Sequence, residues 1–565
     1  MNSFETQLPA RLRLAWFSGP ASPLHPAEQG TSPRAAARLK FHPSYGYFLL
    51  LLILTPIYYR TLLPGLGYWG DSAKYQFVGK VLGTVHLPGN PLYLLLNHLF
   101  VTVVPQGTLA FRVNLLSLCF SLAALLIFYN LLLFLRIRPL IAFITALIFA
   151  LTYTFWLFAL VAEVYSLHLL LMVAVINLML RWRASRQERY FYAGCLLYAV
   201  SFGNHQAMAA LLPSLVYLVW VTDRQTFWNP RKILTVAAFI LLGLALYLYV
   251  PWRASDPTTA FLESRTAGLW QYAGSLGVGT AFHLGFADLV TGRLPVAAGF
   301  FWKNFLLLLP LAVYGVFAVK DRQLNVFLLL LAAVNTILVL QLDFSEADGL
   351  YLPAFLVLAI YLGFAFEALA ARWALVYRLA WGLLLIPLAL LLINYRQVDQ
   401  SNRIQHALRV EKMISVIQRD ALVIADDYEY AAYFWYYLIG EGLGERDLYA
   451  LPDYAVHSEA VKNYLAGQGS IKLPAQQQTL PPGLDVYIMA SIASKLDVPG
   501  LSLEPTGSKY LYRVRLSSDT GKLPIPNAAT ARFLLGQINT LPGLQQKADI
   551  FPGIIWYFKP CTCRV

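Results

Sequence analysis

The run Val113-Asn-Leu-Leu-Ser-Leu-Cys-Phe-Ser-Leu-Ala-Ala-Leu-Leu-Ile-Phe-Tyr-Asn-Leu-Leu-Leu-Phe-Leu135 is followed directly by Arg136-Ile-Arg138. It is long enough, as a helix, to cross a hydrocarbon core about 30 Å thick. Similar runs recur near 46–66, 139–157, 164–181, 190–204, 206–222, 232–250, 303–319, 324–341, 350–370 and 379–395. The pair at 190–204 and 206–222 flanks the polar Asn204, His205 and Gln206, which reads as a tilted or broken hairpin. Hydrophobic residues make up 58% of the 565-residue chain and charged residues 13%, against about a quarter charged in an ordinary soluble domain. A soluble core buries one or two such runs, so the chain reads as an α-helical polytopic membrane protein with about eleven spans.

The charges between the runs test that count. Arg136 and Arg138 form one basic loop, and Arg181, Arg183, Arg186 and Arg189 the next. Arg224, Arg231 and Lys232 follow, then Lys320 and Arg322, then Arg372 and Arg378. The alternate loops near 158–163, 204–207 and 342–350 hold no Lys or Arg. The positive-inside rule then places the N-terminus in the cytoplasm and the C-terminus outside a bacterial inner or plasma membrane. The same placement accounts for the net charge of +13. No soluble segment shows a basic patch interleaved with aromatics, so no nucleic-acid partner is expected.

Three regions follow. Residues 1–44 are rich in Pro, Ala and Arg, lack the apolar core of a signal peptide, and read as a disordered cytoplasmic tail. Residues 45–395 form the membrane domain, with two long outer segments at about 67–111 and 252–302. The second of these resembles amphipathic helices lying at the interface. Residues 396–565 lose the long apolar runs and show strand-like Ala421–Ala425 and Asp485–Ala490, the pattern of a small extracytoplasmic α/β domain. Cys119 and Cys195 lie in apolar runs as small core residues, and Cys561 and Cys563 form a lone C-x-C, weak evidence for a disulfide or a metal.

Ionisable groups near the membrane are costly and mark candidate sites. Asp71 follows the first span in Tyr68-Trp-Gly-Asp-Ser-Ala-Lys-Tyr75, and Glu163 separates two spans in Val161-Ala-Glu-Val-Tyr-Ser-Leu-His168. Asp343, Glu346 and Asp348 crowd the loop before Tyr351. Carboxylates at loop ends also serve simply to solvate them, the bland alternative for each. Lys74, His86, Arg112, His205 and Arg253 share the same face, and Arg253 beside Trp252 also suits plain interfacial anchoring. A guanidinium at a membrane surface offers a planar fork of donors to a lipid phosphate. A carboxylate acting as general base on an acceptor hydroxyl, with cations stabilising a departing lipid phosphate, joins these parts into one reaction that requires no metal or other cofactor.

Gly70-Asp71-Ser72, Leu82-Gly-Thr-Val-His-Leu-Pro-Gly-Asn-Pro-Leu-Tyr93 and Arg112-Val-Asn-Leu115 resemble the DUF2723 family, which is related to protein O-mannosyltransferases among the GT-C membrane glycosyltransferases. Val161–Tyr165, Gly203–Gln206, Tyr247–Ala254 and Gly349–Ala354 follow in the family's order, so the likeness covers most of 45–440. The resemblance implies a GT-C-like fold and transfer of a sugar, mannose in type, from a polyprenyl-phosphate donor to a protein, lipid or glycan hydroxyl outside the membrane. It implies Asp71 as the base and Glu163, His205 and Arg253 as donor-site residues; taken with the reading of the residues themselves, Asp71 and Glu163 are the expected catalytic groups, and Lys74, His86, Arg112, His205, Arg253 and Tyr351 the expected substrate-binding ones. Two departures stand out: the family's second acidic residue is Lys74 here, and its Pro-Pro is Leu87-Pro88. A transporter or flippase of a lipid-linked substrate and a non-catalytic envelope assembly protein are the alternatives. No internal repeat supports the first, and Lys74 keeps the second open.

Overall fold

The computed structural model describes residues 41–67, 71–85, 89–254, 289–341, 347–372, 380–417, 421–425, 428–441, 448–452, 471–472, 479–480, 485–491 and 501–516. Among them, eight helices are long and apolar enough to cross a membrane: Leu109–Phe134, Tyr165–Ser185, Gln206–Trp228, Pro230–Arg253, Leu289–Ala318, Arg322–Leu340, Leu352–Arg372 and Trp381–Val398. The three other expected spans also coincide with helices, at Pro43–Thr61, Pro139–Ala150 and Glu188–Ser201. The protein is an integral, multi-pass membrane protein. The run that opens the sequence reading is one unbroken helix, Leu109–Phe134, begun by Thr108, whose hydroxyl accepts from Phe111 N. Pro43, Pro91, Pro139 and Pro230 each occupy the first helical turn, where a missing N–H costs nothing.

Two sequence expectations change. Helix extends upstream of the span expected at 303–319, back to Leu289, but breaks at Leu306, where φ is 48°, before Leu309–Ala318, and 255–288 lies outside the described residues. The span expected at 139–157 is broken: Pro139–Ala150 ends, and a buried turn of helix, Tyr153–Phe158, follows. Open main-chain groups at membrane depth demand partners, and they find them here. Leu151 O accepts from Asn394 Nδ2 at 2.8 Å and Ala150 O from Tyr58 at 2.7 Å. Cys119, expected in the core, is exposed on its helix instead.

The basic loops lie at one end and are cross-linked there. Arg138 pairs with Glu367 at 2.6 Å, Arg183 with Asp321 at 2.8 Å and Lys232 with Glu188 at 2.9 Å. Each half-exposed pair adds little stability alone; their effect is to hold successive loops in one layer.

At the opposite end the segment expected to be the first outer one contains two helices, Ser72–Val78 and Pro91–Val103. Gln76 Nε2 donates to Asn114 Oδ1 at 2.8 Å, and Asn114 Nδ2 donates to Leu63 O and Gly65 O at 3.0 Å. Asn97 Nδ2 donates to Tyr75 O at 2.8 Å. These buried amides fix the short helix to the spans on either side of it.

Among the described residues the tail carries seven strands: β1 (Ala421–Ala425), β2 (Leu448–Pro452), β3 (Ile471–Lys472), β4 (Thr479–Leu480), β5 (Asp485–Met489), β6 (Leu501–Pro505) and β7 (Leu511–Leu516). Five form a mixed sheet in the order β2-β1-β5-β7-β6, with β1 parallel to both neighbours and β7 antiparallel to both of its own. β3 and β4 make a separate antiparallel pair. Every residue of β1 is buried, as a central parallel strand requires. The helix Tyr428–Trp435 after β1 packs against Ser72–Val78. Glu441 Oε1 accepts from Leu109 N at 3.2 Å, placing a carboxylate at the positive end of the long span, and Lys80 Nζ donates to Gly440 O at 2.5 Å. The C-x-C cysteines fall outside the described residues.

The closest helix crossing predicts a simple stability result. A Cβ on Gly315 would lie 2.0 Å from Tyr361 O, whereas one on Gly299 meets nothing within 4 Å. Gly315→Ala is expected to destabilise the protein by about 1–3 kcal/mol, read as a lowered thermal unfolding midpoint in detergent, with Gly299→Ala at or above wild type.

Candidate functional site

Asp71 starts the Ser72–Val78 helix through its main chain: its carbonyl accepts from Lys74 N at 3.1 Å and Tyr75 N at 3.2 Å. Its side chain makes no capping bond. The carboxylate pairs instead with the Lys74 ammonium, which the i,i+3 spacing puts on the same side of the helix. The pair is lopsided, since the Lys74 side chain is 5% exposed and that of Asp71 32%. One partner is anchored in the protein and the other presents an edge outward.

Glu163 sits in the break between Tyr153–Phe158 and Tyr165–Ser185 and is 1% exposed. Ser72 Oγ donates to Glu163 Oε1 at 3.4 Å, joining the first outer helix to this break. Tyr75 lies within the influence of both acids. Its phenol is held well above the usual tyrosine range, first by burial, then by the charges of Asp71 and Glu163. Its ring meets Tyr93 edge-on at 5.0 Å. The two expected catalytic carboxylates therefore flank one buried aromatic.

His205 joins this group. Its ring lies 6.0 Å from Tyr165 and 5.7 Å from His168. Nδ1 accepts from Ala207 N at 3.0 Å and so starts the next span. Asn204 Nδ2 donates to Val164 O at 3.2 Å, and Leu92 N donates to Gly203 O at 2.8 Å. The segments 89–93, 161–168 and 203–207 thus meet, although more than a hundred residues separate the first from the last.

The remaining candidates are placed differently. Arg253 donates from Nε to Leu82 O at 2.6 Å and from Nη2 to Val81 O at 3.4 Å, and the Tyr249 hydroxyl donates to Gly83 O at 2.8 Å. Together they hold the turn that ends the Asp71 helix, where Leu82 takes a φ of 50°. Arg112 donates from Nη1 to Val101 O at 2.7 Å and Val104 O at 3.2 Å, closing the end of Pro91–Val103. Tyr351 is buried among Phe300, Phe301 and Phe355, with ring separations of 5.6–6.1 Å. His86, Asp343 and Glu346 lie outside the described residues.

In a second charged group the sequence singled out Asp348 but not its partner Lys303. Asp348 is buried beside Lys303, whose ammonium lies 3.1 Å from the centre of the Tyr153 ring. A Cβ on the next residue, Gly349, would come within 2.8 Å of Tyr165 and 2.9 Å of Phe158, so this loop packs against the one that carries Glu163. Burial pushes the Asp348 carboxyl up to about 6, against the opposing pull of Lys303. A lysine so near the start of an apolar run was the available signal.

Known proteins share the fold and part of the sequence. A solved structure of ArnT from Cupriavidus metallidurans bound to undecaprenyl phosphate superposes with a TM-score of 0.55 at 12% identity, covering 84% of this chain and 98% of that one. The apo state of the same protein gives 0.55 at 11%. The fold is that of the GT-C membrane glycosyltransferases. Within that class, residues 71–229 match the family described as Protein O-mannosyl-transferase TMEM260 N-terminal domain. The Dictyostelium discoideum protein O-mannosyl-transferase tmem260 is 25% identical over 218 residues, and the Mus musculus one 29% over 219. Each match covers 35% of this chain and only 26% and 29%, respectively, of those relatives. The matched segment carries Asp71, Lys74, Glu163 and His205.

The raised Asp348 carboxyl has a signed consequence. Between its ordinary value of 3.8 and about 6, the folded state holds a proton that the unfolded chain releases. Its contribution to stability is therefore largest below that window, falls as pH rises through it, and is flat above. Asp348→Asn is expected to remove that fall, a difference of about 2–3 kcal/mol between pH 4 and pH 7. Superimposable pH profiles of unfolding for variant and wild type would count against it.

Proposed function

We propose that the protein is a membrane glycosyltransferase that moves a sugar, mannose in type, from a polyprenyl-phosphate donor to a protein hydroxyl at the extracytoplasmic face. The observation that carries this reading is the Asp71–Lys74 pair joined through Ser72 to buried Glu163, inside the segment similar to protein O-mannosyl-transferases. The ArnT neighbour's bound undecaprenyl phosphate supports a lipid-linked donor.

In this reading Asp71 takes the proton of the acceptor hydroxyl, whose oxygen attacks the anomeric carbon as the bond to the phosphate breaks. One displacement with one base inverts that carbon. Lys74, anchored in the protein beside Asp71, supplies positive charge where the leaving phosphate gathers its negative charge. His205 binds on the Glu163 side. Arg253 and Arg112 serve by shaping the outer segment, because their donors point to main-chain carbonyls. Side chains provide the positive field, so the proposed step uses no metal. The helix Tyr428–Trp435, which follows the first strand of the C-terminal sheet, packs against the Asp71 helix.

Purified protein in lipid nanodiscs, given polyprenyl-phosphate mannose and an acceptor peptide rich in Ser and Thr, is expected to release polyprenyl phosphate. Asp71→Asn should lower turnover by about 10²–10⁴-fold with an unchanged unfolding midpoint. Full activity in that variant rules out Asp71 as the base. Movement of the intact lipid without bond cleavage would point to a flippase instead. Arg253→Ala, by freeing the 79–83 turn, should lower both stability and turnover; a stable variant with only weakened donor affinity would return Arg253 to direct phosphate contact.

A further inference from the structure

Beside the Asp71–Glu163 group, three converging segments hold buried polar atoms with no hydrogen-bond partner in the protein. They are Asn90 Oδ1, Asn204 Oδ1 and both ring nitrogens of His168. His168 and Asn204 are fully buried and Asn90 is 4% exposed. Native proteins pair nearly all such atoms, because leaving one unpaired forfeits its bond to water with nothing in return. A neutral imidazole also carries one donor and one acceptor, so His168 lacks two partners at once.

These atoms belong to one neighbourhood. Leu92 N bonds Gly203 O, and a Cβ on Gly203 would lie 3.2 Å from that of Leu92, so Asn90 and Asn204 are brought in by adjoining strands of chain. Asn204 Nδ2 is fixed to Val164 O, next to Glu163, which leaves its Oδ1 for another donor. His168 follows one turn later on the helix that starts at Tyr165, with its ring 5.7 Å from that of His205. Asn90 holds a φ of 44°, a conformation that asparagine tolerates better than most residues, immediately before Pro91 opens its helix.

We infer that Asn90, His168 and Asn204 form the subsite that receives the hydroxyls of a hexose, the group transferred from the lipid donor. This rests on the glycosyltransferase reading above. Two carboxamide oxygens accept from sugar hydroxyls, while the imidazole both donates and accepts, as neighbouring hydroxyls on a ring require. Asn204 bonds Val164 O next to Glu163, whose carboxylate accepts from Ser72 beside Asp71, so a sugar bound there adjoins the proposed base and cation. A hexose borne by a glycosylated acceptor has the same chemistry, and the choice of lipids below separates the two sources.

The test uses the full chain in nanodiscs and measures the affinity of two ligands, polyprenyl-phosphate mannose and bare polyprenyl phosphate. Wild type is expected to prefer the sugar-bearing lipid. His168→Phe and Asn90→Gly should each weaken that lipid about tenfold or more, with bare polyprenyl phosphate bound within about twofold of wild type. His168→Gln, which keeps a donor and an acceptor, should restore most of the lost affinity. His168→Phe should also unfold no earlier than wild type, since an apolar ring replaces two unpaired nitrogens; Asn90→Gly keeps the positive φ and serves should His168→Phe fail to fold. Equal affinity of wild type and variants for the sugar-bearing lipid overturns the subsite and leaves the enzyme reading standing, and so does parallel loss of both lipids. A wild type that binds bare polyprenyl phosphate but gains nothing from the sugar assigns the hexose to the acceptor and overturns the donor subsite. A wild type that binds neither lipid overturns both readings.

Discussion

Burying the Glu163 carboxylate in an apolar helical bundle is the constraint around which this end of the protein is built. A charged or polar group at such depth is costly unless protein atoms replace its water. The chain meets that demand by breaking its own helices. The Tyr153–Phe158 turn and the loop to Tyr165 interrupt what would otherwise be continuous spans, and Ser72 reaches in from the first outer helix to bond the acid. The same interruption lets Asn204 bond Val164 and places His205 beside Tyr165.

The Asp71 helix is seven residues long and would not persist alone in water. Its position comes from buried amides and from outside. Gln76, Asn97 and Asn114 tie it to the bundle, and Arg253 and Tyr249 hold the turn after it. The helix Tyr428–Trp435 packs against it, with Lys80 bonded to Gly440. Under the proposed function this bracing matters, because small displacements of a base are expensive in rate. It also gives the tail a structural role at the site whatever else it binds.

The departure of Lys74 from the family's acidic residue takes on a physical meaning in this frame. The ammonium is almost wholly enclosed and faces the one carboxylate that is part-exposed. A second acid at that place would set two negative charges together beside a third in Glu163. A lysine there balances Asp71 instead.

Apolar length and loop charge were enough to read the spans, because any helix in hydrocarbon must satisfy its own backbone and arginines avoid crossing the bilayer. All eleven expected spans meet helices, and the acids at 71 and 163 stood out as polar residues among apolar ones. Partnership was not legible. Arg253 and Arg112 stand out in sequence as cations near the membrane, but that each bonds main-chain carbonyls at the end of a turn or helix is visible only in the tertiary arrangement. His168 hides in a run that reads as plain span, and its isolation is visible only once Asn90, Asn204 and His205 have been brought around it. Local composition determines which segments enter the membrane, since that is a property of each segment. Which polar groups meet, and which lack partners, depends on contacts between distant segments and was decided by the packing of the bundle.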